Sequence, residues 1–165
     1  MLIEEIVEKY YRKIYAYCLA ILMNRERAED ACHDVFIKAQ KNIKKLDSRK
    51  NIAGWLLSTA RNLCYDIYNK EKLSFPTDNL QYVLEDKSPD PEASLIEKEQ
   101  IRAIAESLKN LKPTYREVLV LRDMDGFSYH EIAQYLGIEK KKVKWMLFKA
   151  RKKMRLFVGE YYEKN

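Results

Sequence analysis

The sequence predicts an all-α protein: two small helical domains joined by a flexible acidic linker. Three observations carry that expectation. Turn formers are scarce, with four glycines and four prolines in 165 residues. Apolar residues recur at helical rather than alternating spacing, so no strand is expected. One segment, Ser74 to Glu92, breaks the pattern with Pro76, Pro89, Pro91 and the polar run EDKSPDPE. A loop of that length inside one compact domain would be unusual, which favours a tether between two bodies. The expected boundaries are 1–72, 73–95 and 96–165.

Each element has its own local justification. Ile3, Ile6, Val7, Tyr10, Ile14, Tyr17 and Ile21 mark a first helix. A second runs from about Arg25 to Lys41, with Asn24 as N-cap and Ala28, Ala31, Val35 and Ala39 as its inner stripe. A third spans about Ile52 to Lys72, with Trp55, Leu56, Ala60, Leu63 and Ile67 on its apolar face. Helical spacing resumes near Ala93 and continues to Leu111. Pro113 then suits the first turn of a helix reaching Arg122, where its missing N–H would be unbonded anyway. Asp125-Gly126 is a turn.

The segment FSYHEIAQYLGIEKKKVKWMLFKARKKMR, Phe127 to Arg155, has the outline of a helix-turn-helix. Ser128 and Glu131 have capping-box spacing, and Ile132, Ala133 and Leu136 form a short apolar stripe. Gly137 falls where a left-handed residue ends a helix. Val143, Leu147, Ala150 and Met154 then bury one face of a longer helix, while Lys140, Lys141, Lys144 and Lys149 fall away from it.

Charge supports nucleic acid as the client. Residues 1–72 carry a net +4, residues 73–100 a net −5 and residues 101–165 a net +7. Two basic blocks thus flank an acidic connector. The start MLIEEIVEKYYRK has no signal-peptide pattern. The longest apolar run, Ala16 to Met23, falls far short of the ~20 residues that span a bilayer. Cys18, Cys32 and Cys64 are too few and too scattered for a disulfide framework or zinc site, so buried reduced thiols are expected. The expectation is a cytoplasmic protein without direct membrane insertion, metal or cofactor.

Two further stretches narrow the reading. AEDACHDVFIKAQ (Ala28 to Gln40) and WLLSTARNLCYDIYNKEK (Trp55 to Lys72) resemble the signature segments of region 2 of a bacterial sigma factor. LKPTYREVLVLRDMDGFSYHEIAQYLGI (Leu111 to Ile138) resembles region 4. Together they resemble an extracytoplasmic-function (ECF) RNA polymerase sigma factor of the sigma-70 family, over nearly the whole chain outside the linker.

That resemblance implies an alternative sigma factor that binds core RNA polymerase and opens promoter DNA. Polymerase binding would fall to Glu29, Asp30, His33, Asp34 and Ile37, opposite the apolar stripe of their helix; a solvated acidic face is the alternative. His33 stands where the family usually has Gln. A metal or hydrolase site from Asp30, His33 and Asp34 would lack a second ligand cluster or a nucleophile. Promoter −10 reading would fall to Arg61, Asn62, Tyr65, Asp66, Asn69 and Lys70, whose amides, aromatic ring and cations suit a separated single strand. The loop at about Lys45 to Lys50 would help capture a flipped base. Trp55 suits the core better than a stacking platform.

The −35 element would meet Lys140, Lys141, Lys142, Lys144, Trp145, Lys149, Arg151 and Lys152. Here the chain departs from its relatives, which commonly show Gly-Thr-Val-Lys-Ser-Arg against Lys141-Lys142-Val143-Lys144-Trp145-Met146. Trp145 could touch DNA, pack on a neighbouring helix or meet a regulator. The linker's Asp78, Glu85, Asp86, Asp90 and Glu92 could mimic nucleic acid in polymerase's RNA channel, or merely keep a tether solvated. Such factors are held inactive by an anti-sigma factor, often membrane-anchored. The competing readings are a stand-alone helix-turn-helix transcriptional regulator and an enzyme acting on nucleic acid. The latter lacks a carboxylate cluster, a nucleophile–base pair or a phosphate-binding glycine loop.

Overall fold

A computed structural model describes residues 2–46, 51–71 and 95–164, and every regular element in them is helical. Residues 73–94 of the expected linker and most of the Lys45 to Lys50 loop lie outside the described residues, while Leu95, expected as its last residue, already opens a helix. The chain divides into two compact units, Met1–Pro76 and Thr77–Asn165.

The first unit is built from α1 (Ile3–Leu22), α2 (Arg25–Lys41), a single turn α3 (Ile43–Leu46) and α4 (Ile52–Glu71). Helices α1, α2 and α4 pack against one another in all three pairings. The Glu5 carboxylate accepts from the Leu2 N–H at 3.1 Å, holding the start of α1. Met23, in a left-handed conformation at φ 49°, ends that helix with its N–H on the Leu19 carbonyl at 2.8 Å. Asn24 caps α2 as its sequence position predicts, its Oδ1 accepting from the Arg27 N–H at 3.0 Å. Asn51 plays the same part for α4 through the Gly54 N–H at 2.8 Å.

The expected stripe of α2 is sealed: Ala28, Ala31, Val35 and Ala39 are buried against α1 and α4. Three of the four are alanines, which let helix axes approach closely. Ile6, Ile14, Tyr17 and Ile21 fill the space from α1, and Leu56 and Ala60 from α4. Trp55 is only half-buried, so it is a margin rather than a centre of this core. The turn α3 was not legible in the sequence; it tucks Leu46 fully under the bundle.

The second unit contains α5 (Leu95–Lys109), α6 (Pro113–Leu119), a π-helical turn (Val120–Met124), α7 (Tyr129–Leu136) and α8 (Lys140–Lys164). The long α8 is the hub against which α5, α6 and α7 all pack. Pro113 opens α6 at its first helical position. Arg116, almost wholly buried, turns its guanidinium onto the Leu111 and Leu108 carbonyls, so a charged side chain satisfies acceptors left over where α5 ends. Beyond Leu119 the helix widens rather than stopping. The Asp125 N–H reaches the Val120 carbonyl at 3.0 Å, and the Phe127 N–H reaches Leu121 at 2.9 Å. The Arg122 guanidinium closes the same turn on the Phe127 carbonyl at 2.9 Å. Gly126, at φ 73°, supplies the reversal.

Candidate nucleic-acid and polymerase interfaces

The helix-turn-helix has the local chemistry that its sequence predicts. Ser128 Oγ accepts from the Glu131 N–H at 3.1 Å, and the Glu131 carboxylate accepts from the Ser128 N–H at 2.7 Å. Gly137 ends α7 at φ 63°, and the Ile138 N–H folds back onto the Ala133 carbonyl at 3.1 Å. Ile132 and Ala133 are buried from α7; Val143, Met146, Leu147 and Ala150 are buried from α8. With one side of α8 thus fixed to its neighbours, the side it presents outward is also fixed.

That outward side can be assigned by rotation, since each residue advances about 100° around a helix. Lys141, Trp145, Phe148 and Lys152 lie opposite the Val143–Leu147–Ala150 stripe and Lys144 on its flank towards Tyr129, and all five are exposed. Lys140 and Lys142, also exposed, lie nearer its two flanks. Lys149 is half-buried, its ammonium 5.7 Å from the Trp145 ring centroid. The candidate readers therefore do not form one uniform patch. Lys140 and Lys142 instead join His130, Ala133 and Gln134 in lining a separate concavity beside the turn.

Arg151 is placed differently from the lysines. It grips Asp123 of the π-helical turn through two hydrogen bonds, Nη2 to Oδ1 at 2.5 Å and Nε to Oδ2 at 3.3 Å. Asp123 accordingly holds the guanidinium pKa above its ordinary value. Its sequence position suggests a DNA reader; in the fold it also braces the turn against α8. Sequence reasoning missed Tyr129, whose ring lies 4.6 Å from the Arg122 guanidinium and 5.6 Å from the Lys144 ammonium. Its place next to the capping Ser128 was the available signal. Phe148 was also missed, because an aromatic two residues from a buried stripe reads as core.

In the first unit, α4 presents the expected polar face. Asn62, Asp66, Asn69 and Lys70 are exposed, while Arg61 and Tyr65 are half-buried with the guanidinium 5.1 Å from the ring centroid. Asn62 and Asn69 sit at the middle of this face, opposite Ala60 and Cys64, about 10 Å apart along the axis. Two amides, a cation-braced ring and a terminal lysine thus share one surface. At its end Glu71 is drawn off by an ion pair with Arg27 of α2, which moderates the acidic character there.

The α2 face differs in kind. Glu29, Asp30, His33, Asp34 and Ile37 are all exposed, as their sequence positions predict. They do not stand alone: a groove between α1 and α2 joins Glu29, Asp30, His33 and Ile37 to Ile3, Val7, Tyr11 and Phe36. Tyr11 stacks on Phe36 with centroids 6.1 Å apart and stays 41% exposed, so apolar surface is open inside an acidic rim. Sequence periodicity placed Tyr11 off the inner stripe but gave no sign of this partnership.

Behind these faces lie three buried thiols, Cys18, Cys32 and Cys64, one from each packed helix. The Cys64 thiol and burial both raise the pKa of Cys18, and burial followed by Cys64 pushes Cys32 up to about 12. Among the described residues no trio of His, Cys, Asp or Glu is placed to hold a metal ion. No described helix is long and apolar enough to cross a membrane.

Comparison with known proteins matches each of the two units to a family. The Sigma-70 region 2 family matches residues 6–73, and the Sigma-70, region 4 family matches residues 101–154. The ECF RNA polymerase sigma factor SigW of Bacillus subtilis is 29% identical over 160 residues, covering 92% of this chain and 86% of its own. The ECF sigma factor SigM of the same organism is 27% identical over 156 residues, covering 94% of each. Two solved structures share the fold. One is the sigma factor RpoE with the anti-sigma factor NepR from Bartonella quintana, with TM-score 0.69, 19% identity and coverage of 94% and 96% of the two chains. The other is CnrH with the cytosolic domain of CnrY, with TM-score 0.70, 21% identity and coverage of 96% and 88%. With both regions matched in order and ECF factors aligned along nearly its full length, the chain belongs to the sigma-70 family as an ECF RNA polymerase sigma factor.

Proposed function

We propose that this sigma factor grips a promoter at two places and the polymerase at a third, with one helix face assigned to each task. The α2 face, with its acidic rim and the Tyr11–Phe36–Ile37 apolar surface, docks on core RNA polymerase. The α4 face carries the −10 readers: Asn62 and Asn69 bond exposed base edges, Tyr65 braced by Arg61 stacks, and Lys70 follows phosphate. Lys140, Lys141, Lys142, Lys144, Trp145, Lys149 and Lys152 of α8 meet the −35 element, while Arg151 orients that helix through Asp123. Residues 1–72 and 96–165 are the working domains and 73–95 the tether. The chain acts in the cytoplasm as an initiation factor rather than as an enzyme.

The observation that carries this reading is the pairing of two unlike surfaces on one sealed three-helix unit. A stand-alone regulator has no use for a groove of apolar residues rimmed by carboxylates next to a face built for single-stranded bases. An anti-sigma factor is the expected inhibitor, in keeping with the partners of RpoE and CnrH in their complexes. Runoff transcription with and without core enzyme tests the assignment. Promoter-specific transcripts are expected only with both present. Tight, sequence-specific duplex binding by the isolated chain, unchanged by core enzyme, would replace this reading with that of a self-sufficient regulator.

A further inference from the structure

The outward face of α8 carries more apolar surface than phosphate binding needs. Trp145 is 51% exposed and Phe148 58% exposed, on the side opposite the buried stripe and beside Lys141 and Lys152. Single exposed apolar residues are ordinary on any surface. Two aromatics one turn apart, centred on the most basic face of the unit, are not a random scatter. The Lys149 ammonium against the indole also draws positive charge to the same spot.

We propose that Trp145 and Phe148 are specificity-determining residues of the −35 contact, recognising the 5-methyl groups of thymines in the major groove. The argument rests on the assignment of α8 to duplex DNA and deepens it. A lysine ammonium brings affinity with little sequence information, so the lysines alone leave the helix nearly blind. In the major groove only thymine, among unmodified bases, offers an apolar group, and an aromatic side chain is a fitting partner for it. Both aromatics fall within the first three turns of the helix, the part of a recognition helix that reaches base edges. Charge favours an anionic occupant here, and the phosphate backbone of a duplex supplies the denser line of charge. The lysines surrounding the two rings lie on a unit whose residues 101–165 carry a net +7.

The test deletes the methyl and leaves the protein intact. Duplexes with a randomised upstream element are first selected with the reconstituted holoenzyme, full-length chain plus core polymerase. Each thymine of the selected element is then replaced by deoxyuridine, which differs only by the missing methyl. Wild type is expected to bind about fourfold more weakly for each contacted methyl removed. Phe148→Ala or Trp145→Ala is expected to bind the thymine duplex more weakly and to lose its response to deoxyuridine at one position each. Both side chains are exposed, so the variants should keep the wild-type circular dichroism. Deoxyuridine that is silent at every position overturns the proposal while leaving −35 binding by α8 standing. Equal losses in wild type and variants overturn it too, since the effect would then come from duplex shape. If selection returns no upstream preference and neutralising Lys144 leaves binding unchanged, the assignment of α8 itself fails. DNA binding untouched by either alanine would reassign the aromatics to a protein partner.

Discussion

Individual side chains on these surfaces differ in how far they are exposed and in which neighbours engage them. Asn62 and Asn69 are exposed and central on α4. Replacing either with alanine is expected to reduce promoter opening, read by permanganate reactivity of unpaired thymines, while core binding stays unchanged. Arg151 makes the opposite case. Its charge is already met by Asp123, so Arg151→Ala is expected to change the salt dependence of promoter binding by much less than one unit of slope. Lys144→Ala, by contrast, should lower the slope by roughly one unit if it meets a phosphate. The buried thiols give a pH prediction. The Cys32 thiol is raised from 9.0 to about 12, so the folded state resists ionisation that the unfolded chain allows. Its contribution is fully present below pH 9.0 and is lost as pH rises from there towards about 12. The unfolding free energy of the first unit, read from urea titrations, should therefore fall over that window by at most about 1.4 kcal/mol per pH unit for each such thiol. Cys32→Ala should flatten the fall.

At the level of elements, the recognition motif depends on how α7 begins and ends. Ser128→Ala removes one arm of the capping box and is expected to cost about 1 kcal/mol of stability in chemical denaturation. Gly137→Ala meets no neighbouring atom within 4 Å, so its penalty is confined to the left-handed backbone, about 1 kcal/mol. Neither change touches the outward face of α8, and base preference should survive both. Capping and stripe patterns were legible because they follow from local rules: Asn24, Pro113, Ser128 with Glu131, and Gly137 all sit where their chemistry is needed. The turn α3 and the π-helical turn were not. A four-residue helix has no period to detect, and the widening after Leu119 depends on Arg122 reaching the Phe127 carbonyl across the turn. The same limit hid the α1–α2 groove and the Asp123–Arg151 brace, which join residues distant in sequence. Resemblance to a family supplied candidate readers from Lys140 to Lys152, but it gave no sign that Arg151 pairs with Asp123.

For the whole molecule, each unit has a core of its own, with Ile14, Val35 and Leu56 in one and Val118, Ile132 and Leu147 in the other. Residues 1–72 and 96–165 produced separately are expected to fold, each with helical circular dichroism and a cooperative melt. A fragment that stays unfolded would show that its core needs the rest of the chain. The sequestered cysteines also make the separation of the two units measurable with and without polymerase or an inhibitor. Since all three native thiols are buried, a maleimide dye should find none of them in the folded protein. Cysteines introduced at exposed Ser58 and Glu106 would then be the fluorophore sites, one on each unit. The bundle interior thus leaves the wild-type background dark, so the distance between the two grips can be followed by energy transfer without first rebuilding the core.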